Sequence, residues 1–434
     1  MILEHYLFKM IKSEKFTSLT IAYDYKKKSL ELKLAKEWNQ KVNWNGAKTT
    51  GLLKRVKKLN TDEVQDIIER YQLDNYFDDI AYFIREGCHK LLELVYDPIS
   101  EACCVVAIHN DNKEYTVGGI RRTVINKPEK EVLTEALNLS RAMSFRCAAA
   151  QIPCSGACLI FYAPRPTNDN IEKLLSFLGY ISCRYEVKWG TESGFSGEEM
   201  KKINDYTQNL VTQNSAQAIA SCAAYSIYIA VKETLRHRYE AGEIKNKLIG
   251  IEGVGKLGSK IAEMLLKDGA EIIVSDRNAK QIENFMKQYK SKYKDYISSV
   301  PVGGARMQMG HVFIPCAYSG ALSHDSIQEI KYHIIVGGAN HLLAANVKRE
   351  EIKIAKLLMK TGIIYIPDWI ANIGAVKYAT ELILTNNLPD VEKVYQKLDE
   401  ICVDLINDIV AKSKEKNISP LEEAYARFIP VVYE

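Results

Sequence analysis

Apolar residues fall into two alternating patterns along most of the chain. HKLLELVYD and ACCVVAIHN have the length and near-continuous hydrophobicity of strands, and DPISE between them supplies turn chemistry through Pro98 and Ser100. EKEVLTEALNLSRAMSFRCAAA instead repeats at helical spacing, through Val132, Leu133, Ala136, Leu137, Leu139 and Met143. ACLIFYA is a short apolar run of buried-strand type, and TNDNIEKLLSFLGYI predicts a helix starting at Thr167 or Asn168. SAQAIASCAAYSIYIAVKETLRHRY predicts a long, mostly apolar helix between two domains. After it, KLIGIEG, KLGSKIAEMLLKDG, EIIVSD, RNAKQIENFMKQY, HVFIPC, HIIVGG and IIYIPDW alternate strand with helix, the pattern of a parallel sheet with right-handed crossovers. VEKVYQKLDEICVDLINDIVAKSKEK predicts a long amphipathic helix, followed by a shorter one.

The first 75 residues read differently. LTIAYDY suggests a strand and TDEVQDIIERY a helix capped by Thr61 or Asp62, but lysine dominates, in Lys26-Lys27-Lys28 and in the run from Lys54 to Lys58. The expected organisation is a small N-terminal extension over 1–75, a substrate and oligomerisation domain over 76–212, a dinucleotide-binding domain over 213–384, and C-terminal helices over 385–434 returning to the substrate domain.

Composition narrows the class. A chain of 434 residues, 47% hydrophobic and 26% charged, is expected to form two or three domains, each large enough to bury its own core. A net charge of +4 without a dominant basic stripe gives no case for nucleic acid. The start lacks the pattern of a secretory signal, and no apolar run is long enough to span a membrane. Ten scattered cysteines, with no CxxC pair, imply reduced thiols in a cytoplasmic setting and no standard metal site.

The sharpest local signal is Gly253-Val254-Gly255-Lys256-Leu257-Gly258, which follows one predicted strand and opens a helix. Gly253 permits the tight turn, Gly255 lets backbone approach a diphosphate, and Gly258 lets helix pack on strand; free amides at the helix start then face the phosphates. The next strand ends at Asp276, placed to bind ribose hydroxyls and to disfavour a 2′-phosphate, which points to NAD, with Arg277 beside it as the residue able to accept that phosphate.

From residue 77 onward the chain resembles the glutamate/leucine/phenylalanine/valine dehydrogenases, nearest the leucine and phenylalanine branch. The motifs are GGIR (Gly118–Arg121), similar to the substrate-pocket turn; MSFRCAAAQIPCSGAC (Met143–Cys158), similar to the catalytic segment; IEGVGKLG; PCAYSGAL; GGANH; and YIPDWIANIGAV. The resemblance implies a two-domain α/β fold with a C-terminal Rossmann domain, NAD as cofactor, and homo-oligomers. It also implies that Cys316 and Ala317 lie at the nicotinamide, that Asn340 contacts the nicotinamide ribose or the substrate amine, that Asn372 binds the substrate carboxylate, and that Gly118, Gly119, Met143 and Val376 line the side-chain pocket. The family's two catalytic lysines correspond to Arg146, which can still grip a carboxylate, and to Cys158. Its aspartate loop corresponds to KWGTESGF, with Glu192 as the counterpart, and a family threonine to Ala223.

Cys158 has three readings: a small buried residue in a lysine's place, a reactive thiol near Lys188 and Glu192, or a metal ligand with Cys147 and Cys154. Val117 replaces the lysine of glutamate-specific relatives, so an apolar side chain is expected on the substrate. His109 and His341 are read as structural. The expected function is hydride transfer between NAD(H) and an amino acid, imine or keto acid, with altered chemistry. The alternative is a non-catalytic dinucleotide-binding sensor or partner subunit.

Overall fold

The computed structural model describes residues 6–38, 54–124, 127–207, 215–240, 242–385 and 387–434. The chain divides into two units, Met1–Ser144 with Pro153–Gln213, and Phe145–Ile152 with Asn214–Glu434. Among the described residues no helix is long and apolar enough to cross a membrane.

The first unit runs α1 (Tyr6–Ser13), β1 (Ser18–Asp24), β2 (Ser29–Trp38), β3 (Lys54–Leu59), α2 (Thr61–Arg70), α3 (Asp74–Gly87), β4 (Leu91–Asp97), β5 (Ala102–Ile108), β6 (Tyr115–Val124), α4 (Glu129–Ala149), β7 (Cys154–Ala163), α5 (Ile171–Arg184), β8 (Lys188–Ser193) and α6 (Gly197–Tyr206). Its eight strands form one mixed sheet in the order β3-β2-β1-β4-β5-β7-β6-β8. All ten residues of β7 are buried because both faces of the sheet are covered. Cys158, Ile160 and Tyr162 share one apolar core with residues of α1 to α4, while Leu159 and Phe161 share the other with α5 and α6.

The N-terminal 75 residues were expected as a separate extension. Their described part is instead continuous with this sheet, since β1 pairs antiparallel with β4 from Ser18↔Val95 to Ala22↔Leu91. The lysine-rich run forms the outer strand β3; the side chains of Lys54–Lys58 lie outside the described residues. A second tie is Glu129, which accepts the backbone N–H groups of Leu7 and Phe8 at 2.9 Å each and so caps α1 from 122 and 121 residues away in sequence. The cap of α2 is Asn60, in a reciprocal capping box with Glu63, rather than Thr61 or Asp62; α5 starts after Asn170. GGIR lies inside strand β6, not in a turn. A Cβ on Gly118 would sit 2.7 Å from both the Ala157 carbonyl oxygen and the Trp189 ring, so tight packing explains a glycine there.

The second unit contains the last turn of α4 and then α7 (Ala216–Tyr239), β9 (Leu248–Glu252), α8 (Lys256–Lys267), β10 (Glu271–Ser275), α9 (Ala279–Tyr289), β11 (Ile297–Ser299), β12 (Met309–Pro315), α10 (His324–Ile327), β13 (Lys331–Val336), α11 (Lys348–Lys360), β14 (Ile364–Ile366), α12 (Asp368–Ala371), α13 (Gly374–Thr385), α14 (Val391–Glu415) and α15 (Pro420–Tyr433). Its six strands are all parallel in the order β11-β10-β9-β12-β13-β14, the doubly wound order of a dinucleotide-binding domain. The C-terminal helices, expected to return to the substrate domain, are part of this second unit. Tyr225 of α7 stacks on Tyr395 of α14 at 4.0 Å, and Tyr425 of α15 closes an aromatic cluster with Trp369 and Phe145 at 5.5 and 5.2 Å. The expected boundary at 212/213 lies outside the described residues.

Candidate functional site

In the second unit β9 runs directly into the glycine loop. Gly253 has φ +97°, and a Cβ there would meet the Ala317 amide at 2.9 Å, so the loop after β12 lies against it. A Cβ on Gly258 would come within 2.0 Å of the Gly253 carbonyl oxygen, whereas nothing lies within 4 Å of the corresponding point at Gly255. That open point is where a diphosphate needs room. Gly255 starts α8 without a side-chain cap, which leaves amides at the helix start for an anion. Lys256 beside it is exposed. Val254 N–H donates to Asp276 at 2.9 Å, which holds that half-buried carboxylate over the loop, while Arg277 is exposed. The cradle fits a dinucleotide. Beside it the Cys316 thiol is pushed up to about 12 by burial and by the Glu252 carboxylate, so it stays protonated.

The second cluster of this unit is built around Arg146 in the last turn of α4. Its Nη2 donates to Asn340 Oδ1 at 2.8 Å and pairs with the Asp368 carboxylate at 3.2 Å, with both ion-pair side chains buried. Asp368 also accepts the amide of His341 at 3.1 Å. The GGANH glycines are required by this packing, because a Cβ on Gly337 would strike the Asp368 backbone at 2.4 Å and one on Gly338 the Cys316 Sγ at 2.4 Å. Asn372 donates to the Gly338 carbonyl at 3.4 Å. Among the described residues three buried polar atoms here have no hydrogen-bond partner, Arg146 Nε, His341 Nε2 and Asn372 Oδ1, and an added ligand would satisfy such atoms. Val376 is buried one turn further on, and Lys377 donates to the Ala150 carbonyl at 3.2 Å, its ammonium held below the usual lysine range by burial and by Lys397.

The remaining predicted residues lie in the first unit. Gly118 and Gly119 pair with Ala157 and Cys158 across β6 and β7. Met143 is half-buried on α4, and Cys158 is 2% exposed within the core shared with α1 to α4. Glu192 is on β8, its side chain outside the described residues. Among the described residues no three His, Cys, Asp or Glu side chains are grouped as a metal ion requires. Asp368 lies within YIPDWIANIGAV, but a lone aspartate after proline carries no distinctive spacing that marks it in the sequence.

The parallel sheet, its glycine cradle and the carboxylate at the end of β10 define a dinucleotide-binding α/β protein. Comparison with known proteins narrows the class. The profile of the glutamate/leucine/phenylalanine/valine dehydrogenases matches residues 216–433, and the chain belongs to that family. Its members are amino acid dehydrogenases that use NAD(H). The chain is 27% identical to phenylalanine dehydrogenase of Lysinibacillus sphaericus over 75% of its length and 87% of the relative's. It is 26% identical to leucine dehydrogenase of Geobacillus stearothermophilus over 72% and 82%. The crystal structure of L-tryptophan dehydrogenase from Nostoc punctiforme shares the fold, with TM-score 0.62 and 21% identity, covering 80% of this chain and 97% of that one.

Proposed function

We propose that the chain is an NAD(H)-dependent oxidoreductase acting on an amino acid, or the related imine, with an apolar side chain. The observation that carries this reading is that two buried polar atoms of this unit, Arg146 Nε and Asn372 Oδ1, have no protein partner among the described residues. Arg146 is fixed by Asp368 and Asn340, and a guanidinium oriented in this way binds a carboxylate through its unused donor. Asn372 is expected at the carboxylate, but the atom it leaves unused is Oδ1, which accepts a hydrogen bond from an amino or imino nitrogen, so Arg146 and Asn372 suit the two ends of an α-amino acid. Bound NAD(H) accepts or supplies the hydride. Asp276 supports NAD over its 2′-phosphorylated form, and Val117 supports an uncharged side chain.

The chemistry is expected to differ from that of relatives that retain the lysine aligned with Cys158. A thiol at that position carries no ammonium, so water activation for deamination falls to another group, such as Glu192, or the reaction stops at amine and imine. The same residue favours a second reading, a dinucleotide-binding protein without turnover.

The deciding experiment is calorimetric titration with NADH and NADPH, followed by an absorbance assay at roughly 340 nm, the NADH band, against apolar amino acids, their keto acids with ammonia, and cyclic imines. Oxidation or reduction by any of these supports the enzyme. NADH binding with no turnover across the panel favours the sensor.

A further inference from the structure

Glu252 is the last residue of β9, one peptide bond before Gly253, and its side chain is 7% exposed. Its carbonyl accepts the Cys316 amide at 2.7 Å, so the backbone at the start of the cradle is tied to the loop after β12. A buried carboxylate here, directly before a diphosphate loop, works against the ligand that the loop receives, because two anions close together in a poorly solvated place repel strongly. The chain answers with Arg306, from the segment between β11 and β12. Its Nη2 and Nε reach Glu252 Oε2 at 2.7 and 3.3 Å, and Nη2 also reaches the Tyr318 hydroxyl at 2.6 Å. Tyr318 follows Ala317, whose amide lies against Gly253. Arg306 therefore bridges the strand that enters the first glycine and the loop that covers it, with its Nη1 edge unused by either contact.

We propose that Arg306 is a positioning residue for the dinucleotide: by neutralising Glu252 and tying it to Tyr318, it keeps the floor of the phosphate cradle from repelling a diphosphate. The inference rests on the reading that this cradle binds NAD(H). It assigns a role to a residue outside the glycine motif, contributed by a segment with no sequence signature of its own. It also explains how an acidic residue is tolerated immediately before the phosphate loop. Arginine suits this role because two of its nitrogens, Nη2 and Nε, reach the same carboxylate, a two-nitrogen grip that one lysine ammonium does not reproduce.

The test is a calorimetric comparison of NADH and uncharged adenosine on the wild-type chain, R306Q and the double variant E252Q/R306Q, with thermal unfolding run alongside. R306Q is expected to weaken NADH binding about tenfold or more while adenosine changes less than about threefold, and lowering the salt is expected to widen the gap. E252Q/R306Q, which restores a neutral pair, is expected to return NADH affinity to within about threefold of wild type. Should R306Q alone fail to fold, the double variant still decides: recovery near wild-type affinity supports neutralisation, and a tenfold deficit overturns it. Wild-type binding of NADH with an unchanged, folded R306Q overturns this inference alone, while a wild-type chain that binds no NADH overturns the cofactor reading as well.

Discussion

Replacing Arg146 by methionine leaves the Asp368 carboxylate buried without its cation and Asn340 without its donor. Removing one partner of an enclosed ion pair costs about 3–5 kcal/mol, so Arg146→Met is expected to lower the unfolding temperature by several degrees and Arg146→Lys by less. Differential scanning calorimetry checks both; an unchanged midpoint in the methionine variant would show that the pair is not closed in solution. The thiols give a second test at this scale. Cys183 is exposed, whereas Cys158 is 2% exposed among aliphatic side chains. A maleimide followed by peptide mass spectrometry is expected to label Cys183 in minutes and Cys158 only when the chain unfolds. Rapid native labelling of Cys158 would support the reactive-thiol reading. The sequence singles out Arg146, Asn340 and Asn372 as candidates because they sit in motifs that resemble the family's. It could not join Arg306 to Glu252, because nothing local marks a contact between residues 54 positions apart.

Among elements, α1 depends on a cap it does not carry. Glu129 takes the first amides of that helix and the Tyr76 hydroxyl at 2.9 Å, so Glu129→Ala strands two buried N–H groups. A loss of about 2–4 kcal/mol is expected, with α1 released before the rest unfolds. Limited proteolysis should cut near residues 13–17 in the variant and not in the parent, and equal resistance would refute the docking. The pattern of apolar residues revealed most strands and helices, and failed where local chemistry competes with tertiary packing. Paired glycines at 118 and 119 look like a turn, yet they serve a strand pressed against Trp189. Asn60 is as good a cap as Thr61, and only the position of Glu63 three residues on separates them. The long C-terminal helix was legible as amphipathic, but not which core its apolar face joins.

At the scale of the whole molecule, buried titratable groups set opposing pH responses. His89 and His109 are enclosed beside Arg141, and burial holds both below the usual imidazole range, His109 at about 3. A depressed base contributes stability that is complete above its unfolded value of about 6.5 and falls as pH drops toward the folded value. Glu129 runs the other way. Burial raises it to about 7 against the hydrogen bonds from Phe8, Leu7 and Tyr76, so its contribution is complete below about 4.5 and declines as pH rises through 7. The histidines are therefore expected to dominate acid loss, and His109→Gln should flatten the fall in unfolding midpoint between pH 6.5 and about 4. Urea titrations at several pH values test this, and an equally steep fall in the variant would exclude the pair as its source.

The pairing of β1 with β4 has a practical outcome for anyone trimming the chain to its dehydrogenase-like part. Cutting away the first sixty residues would uncover the hydrogen-bonding rim of β4 that β1 occupies, with Leu92 and Leu94 losing the part of their core that α1 and β1 supply. A protein shortened in that way should self-associate through backbone pairing and precipitate, even with every residue of the cofactor cradle intact.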